Sequence, residues 1–221
     1  MNDRFYPVFV KGKCLHCLVV GGGKVGVRKI ESLIESGAYV TVVSPQGTDH
    51  LAELARQARL RWVREPYEER FLQGMQLVIG ATDDRAVNER IFNDAKKMGI
   101  LVNIVDDPEH CTFIVPSVMT KGQLCVAVGT GGAAPKVAAK IRTELEAHVP
   151  DEYEVMIDEL SLLRPTIKRL TTDCKDRFWQ TIFSLEVTSY RGRAGALRQR
   201  IRNELKHLPA FGEQRIAEGA D

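Results

Sequence analysis

The 221-residue sequence has no uninterrupted apolar run long enough to cross a bilayer. Its amino-terminal stretch, MNDRFYPVFVKGK, lacks the apolar core of a secretory leader. Neither a membrane-spanning nor an exported protein is expected, and the expected location is cytoplasmic. An excess of one charge is also missing: 31 Lys and Arg face 29 Asp and Glu, leaving +2. That balance is too mild to point to nucleic acid, and no nucleic-acid-binding module is recognisable. Cysteine is sparse and odd in number, at positions 14, 17, 111, 125 and 174, which excludes a secreted disulfide framework. Cys14 and Cys17 form one CxxC with no second pair to complete a zinc site. They lie in KCLHCLVVGGG, where the alternation reads as a strand entering a glycine turn, so both thiols are expected to pack as small hydrophobes. There is no internal repeat and no low-complexity tract.

What is present suits one main domain with a smaller appendage: 44% hydrophobic residues for a core and 27% charged residues for a surface. Strand patterns at 14–21, 39–43, 60–63, 76–82 and 101–105 alternate with helical patterns at 24–37, 48–58 and 86–99. Glycines at 37 and 99 stop two of the helices. This alternation predicts an α/β fold, a Rossmann-type doubly wound parallel sheet. After Asp106 the pattern changes. TFIVPSVM and QLCVAVGT read as two strands joined by a turn at Lys121-Gly122, and the helix APKVAAKIRTELEAHV follows, closed by Pro150. From Asp151 to about residue 208 a charged helical region is expected, and the last dozen residues are expected to be loosely ordered. The expected division is 1–112, 113–150 and 151–221.

Gly21 to Gly26 reads GGGKVG and satisfies GxGxxG. Glycines allow the tight turn, the close approach of backbone to a pyrophosphate, and close packing of helix on strand. The motif alone is weak, but here it follows a strand and opens a helix in a βαβ unit, which is the required context. A dinucleotide is therefore expected on Gly21, Gly23, Lys24, Val25 and Gly26. The second strand lacks the usual terminal acid and ends in Val43-Ser44-Pro45-Gln46. Ser44 is expected to bond a ribose hydroxyl in its place, with Pro45 and Gln46 beside it. Arg28 and Lys29 lie on the first helix, away from a 2′-phosphate position, so NAD is expected over NADP. Thr82 and Asn103, near the ends of later strands, complete the expected cofactor set. Asp83 and Asp84 read at least as well as helix caps as they do as catalytic acids.

These segments together resemble a known family. YPVFVKGKCLHCLVVGGGKVGVRKIESLIESGAYVTVVSP, then IGATDDRAVNERI, VNIVDDPEHCTFIVPS and VAVGTGGAAPKVAAKIR are similar, in order, to the precorrin-2 dehydrogenase domain of siroheme synthases. The resemblance runs from about residue 5 to 170, and the last fifty residues share only a helical, charged character. It implies NAD-dependent oxidation of precorrin-2 to sirohydrochlorin in a homodimer, built on the hairpin and helix of 113–150, with ferrous iron inserted as a further substrate in some members. It also implies that the carboxylate ending the strand before the hairpin is needed for activity, which places that role on Asp106. A carboxylate at that sheet edge can receive the proton released as hydride leaves the substrate. Asp107 is expected to be solvated in the turn.

The remaining expectations concern the substrate. His110 and Cys111 are adjacent at an expected strand start and so point to opposite faces, which argues against a shared metal ion. His110 is instead expected at the rim as a substrate contact, and no metal-ligand set is expected. Gly129-Thr130-Gly131-Gly132 precedes a helix and offers an anion site for a polycarboxylate. Thr130 and Lys136 are the expected contacts there, while Lys140 and Arg142, taken singly, read as a solvated face. The basic run from Tyr190 to Lys206 could steer an acidic substrate or be plain surface. No methyltransferase segment is present, so uroporphyrinogen methylation is expected from another protein. A non-catalytic NAD-sensing module would share the glycine turn but not the segment around Asp106. A short-chain dehydrogenase fails because no Tyr has Lys four residues on.

Overall fold

The structure, a computed structural model, describes residues 4–208. The expectation for the last dozen residues lies outside the described part. The described chain divides between Val115 and Pro116 into two compact units.

The first unit alternates strand and helix as its hydrophobic pattern predicts. In order it contains β1 (His16–Gly22), α1 (Lys24–Glu35), β2 (Tyr39–Gly47), α2 (Asp49–Arg56), β3 (Arg61–Val63), β4 (Leu77–Gly80), α3 (Arg85–Lys97) and β5 (Leu101–Ile104). The five strands form one parallel sheet in the order β3-β2-β1-β4-β5. β1 is buried from Cys17 to Gly22, and its alternate side chains serve opposite layers. Cys17 and Val19 pack with Val27 and Ile30 of α1 and with Leu51 and Leu54 of α2. Leu18 and Val20 pack with Ile91 and Ala95 of α3. Helices thus cover both faces, and each fully buried aliphatic side chain stabilises the sandwich by roughly 1.5–3 kcal/mol.

Several boundaries differ from the sequence reading for identifiable reasons. Gly12–Cys14 is a 3₁₀ turn, with the Cys14 N–H donating to the Lys11 carbonyl, so β1 starts at His16 rather than 14. Cys14 is exposed and Cys17 is fully buried, which separates the two thiols of the CxxC. α2 is capped by Thr48, whose hydroxyl accepts the Leu51 N–H at 3.2 Å. Asp84, not Asp83, caps α3, accepting from the N–H groups of Ala86 and Val87.

The second unit opens with a hairpin of β6 (Ser117–Lys121) and β7 (Leu124–Val128), antiparallel, with Gly122 and Gln123 as the turn. The strand expected from Thr112 begins only at Ser117. Pro116 has no N–H to donate, and residues 111–113 are held instead along the edge of β5. Asn103 and Cys111 form an antiparallel bridge, and the Thr112 N–H donates to the Val102 carbonyl at 2.8 Å. Then come α4 (Pro135–His148), which packs on the hairpin, and α5 (Glu152–Arg169), α6 (Thr172–Phe183) and α7 (Ala194–Lys206). Phe178, Ile182, Leu197 and Ile201 centre the helical core. Arg202 holds the buried Glu159 carboxylate in a two-point ion pair at 2.5 and 3.1 Å.

Candidate functional site: a cleft at the carboxyl edge of the sheet

At the end of β1 the chain turns from strand to helix within one residue. Gly21 has φ +114°, a left-handed conformation, and a Cβ there would lie 2.2 Å from the Ala81 carbonyl oxygen. A Cβ on Gly26 would come within 2.5 Å of the Gly21 carbonyl oxygen, so α1 can approach the strand only with glycine at that position. Gly23 differs: its Cβ would meet nothing within 4 Å. It stands at the N-cap of α1 without a side-chain cap, leaving the first turn's N–H groups for an outside acceptor. Two glycines thus shape the turn, and the third leaves it bare toward the cleft.

That cleft has a volume of about 640 Å³ and opens where the strand order reverses beside β1. Its walls are the glycine turn, the end of β2 from Ser44 to Thr48, and the end of β4 with Ala81, Thr82 and Asp83. Of the residues expected at the cofactor, Gly21, Gly23, Lys24, Val25, Ser44, Pro45, Gln46 and Thr82 line it. Gly26 lies behind the turn. Asn103 is outside the lining, and its amide donates to the Phe113 carbonyl at 3.0 Å.

Two hydroxyls expected to face a ribose are engaged with the protein. Ser44 Oγ accepts the Gly22 N–H at 3.1 Å and donates to the Gln46 carbonyl at 2.6 Å. Thr82 Oγ1 lies 3.0 Å from the Asp84 carbonyl and 2.9 Å from Asn88 Oδ1, both acceptors for its single proton. Each therefore shapes the wall and keeps only its remaining acceptor capacity for a ligand. Sequence reasoning missed the residues that support these walls. The Trp62 indole N–H donates to the Ser44 carbonyl at 3.0 Å, and Tyr67, buried in the lining, donates to Asp94 at 3.1 Å. Burial first, then the Asp94 carboxylate, pushes the Tyr67 hydroxyl well above its ordinary pKa, so it remains a neutral wall. The only available signal was an aromatic in an edge strand and another just after it.

β5 ends at Ile104 and is followed by the acidic turn. Because the sheet is parallel, Asp106 emerges at the same edge as the glycine turn, and its side chain is exposed. Its φ is +60°; apart from glycines, only Ala58 shares a positive φ among the described residues. Asp107 is not simply solvated: its Oδ2 lies 2.8 Å from His110 Nδ1. Pro108–His110 is a 3₁₀ turn rather than a strand start. The Cys111 thiol faces the Ile104 and Asp107 carbonyls, and burial raises its pKa.

In the second unit, Thr130 Oγ1 accepts the Ala134 N–H at 3.1 Å, closing the glycine-rich turn ahead of α4. Lys136 is exposed in the first turn of that helix. Lys140 and Arg142 each pair with an acid one turn on, Glu144 and Glu146, which suits a solvated face.

The fold and the bare glycine turn define a dinucleotide-binding protein of the Rossmann class, and comparisons narrow the class. Residues 8–117 match the family described as putative NAD(P)-binding. The chain is 39% identical over 181 residues to the siroheme synthase of Chromobacterium violaceum, covering 81% of this chain and 38% of that protein. It is 41% identical over 179 residues to the siroheme synthase of Methylobacillus flagellatus, covering 80% and 38%. It therefore spans less than two fifths of these relatives' length. Among solved structures it resembles SirC, precorrin-2 dehydrogenase, with a TM-score of 0.74 and 27% identity over 90% of this chain and all of that one. The chain is thus similar to somewhat under two fifths of the length of these siroheme synthases in sequence and to a precorrin-2 dehydrogenase in structure.

Proposed function

We propose that this chain oxidises precorrin-2 to sirohydrochlorin with NAD as the hydride acceptor. The observation that carries the reading is Asp106: an exposed carboxylate in a left-handed turn at the sheet edge that also carries the bare glycine turn. Support comes from the likeness to SirC over that chain's whole length.

The cleft residues fit a dinucleotide. Uncapped N–H groups at the start of α1 bind the pyrophosphate, and the walls from Ser44 to Thr48 and at Thr82 flank the riboses. Bound NAD supplies an acceptor for the hydride that leaves a substrate C–H bond. Asp106 takes up the proton released in the same oxidation, a role open to an ionised carboxylate near neutral pH. Thr130, His110 and Lys136 serve as contacts for the substrate carboxylates. Where ferrous iron is inserted as a second substrate, Asp106 also accepts protons from the pyrrole nitrogens.

The working form is a homodimer in the cytoplasm. Val137, Ile141 and Leu145 of α4 are 38–50% exposed at successive helical turns, an apolar stripe suited to a second copy. No helix among the described residues is long and apolar enough to cross a membrane. The test is an anaerobic assay with precorrin-2 and NAD, following sirohydrochlorin absorbance, then repeated with ferrous iron. Protein that binds NAD but never oxidises precorrin-2 would sink the dehydrogenase reading in favour of a sensor.

A further inference from the structure

The turn after β5 holds an acid–imidazole pair, Asp107 and His110, to which the reaction described above gives no part in proton transfer. The Asp107 N–H donates to the Ile104 carbonyl and the His110 N–H to the Asp107 carbonyl, each at 3.2 Å, so the backbone around the pair is set. Asp107 Oδ2 lies 2.8 Å from His110 Nδ1, and the imidazole stands perpendicular to the Phe92 ring at 4.8 Å between centroids. A carboxylate at Nδ1 keeps the proton on that nitrogen and leaves Nε2 with the free lone pair. The His110 side chain is 35% exposed, so the ring is seated but reachable by solvent.

We propose that the Asp107–His110 pair is a proton relay that clears Asp106 between turnovers. The inference rests on the dehydrogenase reading. When the substrate has lost hydride to NAD and a proton to Asp106, that carboxylic acid must ionise before it can act again. In the relay the O–H bond on Asp106 breaks and an N–H bond forms at His110 Nε2, directly or through one water. The imidazolium is stabilised by the ionised Asp107 and then gives the Nε2 proton to solvent, so no proton is gained or lost overall. Imidazole is suited to the task because its ordinary pKa lies close to neutral. Other charged groups around the turn are Glu109 within it, Lys96, whose Nζ lies 5.5 Å from the Phe92 ring centroid, and Lys29, whose charge reaches Cys111. None of these three is hydrogen-bonded to the imidazole.

The test uses the full chain with precorrin-2 and NAD, anaerobically, across pH 5–9. His110→Ala should lower kcat by about 100-fold while leaving KM for NAD and the melting temperature unchanged. Added imidazole should restore turnover in that variant. Asp107→Asn, whose amide can donate to Nδ1 and reverse the tautomer, should lower kcat without rescue by imidazole. Full activity of His110→Ala, or no response to imidazole, would overturn the relay and leave the dehydrogenase standing. Wild-type protein that never turns over would overturn both. If His110→Ala does not fold, the Asp107→Asn result decides alone, full kcat counting against the relay.

Discussion

Ser44 Oγ accepts the backbone N–H of Gly22 at 3.1 Å and so ties the end of β2 to the glycine turn that ends β1. The position where Rossmann folds commonly place an acid for the ribose is used here as a brace. The same hydroxyl donates to the Gln46 carbonyl, and the Trp62 indole holds the Ser44 carbonyl from the other side. Ser44→Ala removes one partner from each of two backbone groups, a loss of about 1–2 kcal/mol. Calorimetric titration with NAD should show affinity weakened roughly tenfold, with the substrate KM little changed. Unchanged NAD affinity would mean the brace does not position the turn.

The glycines of the turn separate shape from binding. Gly21→Ala forces a Cβ to within 2.2 Å of the Ala81 carbonyl oxygen, so the ends of β1 and β4 must move apart, and Gly26→Ala forces one to within 2.5 Å of the Gly21 carbonyl oxygen, so α1 must move off β1. Both should lower thermal stability and abolish NAD binding together. Gly23→Ala adds a methyl to open space at the α1 N-cap. It should melt like wild type and yet bind NAD more weakly, because the methyl stands where a pyrophosphate approaches. A Gly23→Ala protein with wild-type affinity would place the phosphates elsewhere.

The sheet was legible because burial on both faces writes itself into short apolar runs such as CLVVG and LVIG, and the glycine turn because its spacing reports a steric need. Orientation was not legible. Nothing in VVSPQG says that the Ser44 hydroxyl turns back to Gly22, since that depends on a strand more than twenty residues away. Trp62 and Tyr67 come from an edge strand and the loop after it, where no period marks them. TFIVPSVM looks like one strand because apolar content is continuous, but Thr112 pairs with Val102 while Ser117 pairs with Val128. The Asp107–His110 pair was hidden by reading His110 as a strand residue instead of the end of a 3₁₀ turn.

The CxxC thiols should behave as unrelated groups. Burial lifts the Cys17 pKa from about 9 to about 11, while Cys14 is exposed. Brief alkylation of native protein near pH 8, mapped by mass spectrometry, should label Cys14 and spare Cys17. The shift also sets a direction for stability. Below pH 9 the thiol is protonated in both states and the shift has no effect on the difference between them. From pH 9 to 11 the unfolded chain loses this proton first, so the contribution falls as pH rises. Cys17→Ser or Cys17→Ala should flatten that part of the stability profile. Formation of a Cys14–Cys17 disulfide under mild oxidant would contradict the separation.

Asp106 sits at φ +60°, a left-handed conformation that glycine adopts freely and a residue with a Cβ only at some cost, aspartate and asparagine less than most, on the edge that carries the cleft. If the chain keeps a carboxylate there for chemistry, relieving the strain should make the protein more stable and inactive. Asp106→Gly removes the Cβ and is expected to stabilise by about 0.5–1 kcal/mol, a rise of roughly 1–4 °C in melting temperature for a chain of this size. Asp106→Asn keeps the shape and the tolerance for this conformation, so its melting point should stay near that of wild type. Both variants should bind NAD normally, because Asp106 is not in the lining of the dinucleotide cleft. Both should lose precorrin-2 oxidation. The pair discriminates sharply: a drop in stability for Asp106→Gly would mean that the carboxylate holds the turn together, and retained turnover in Asp106→Asn would move the proton acceptor to another residue.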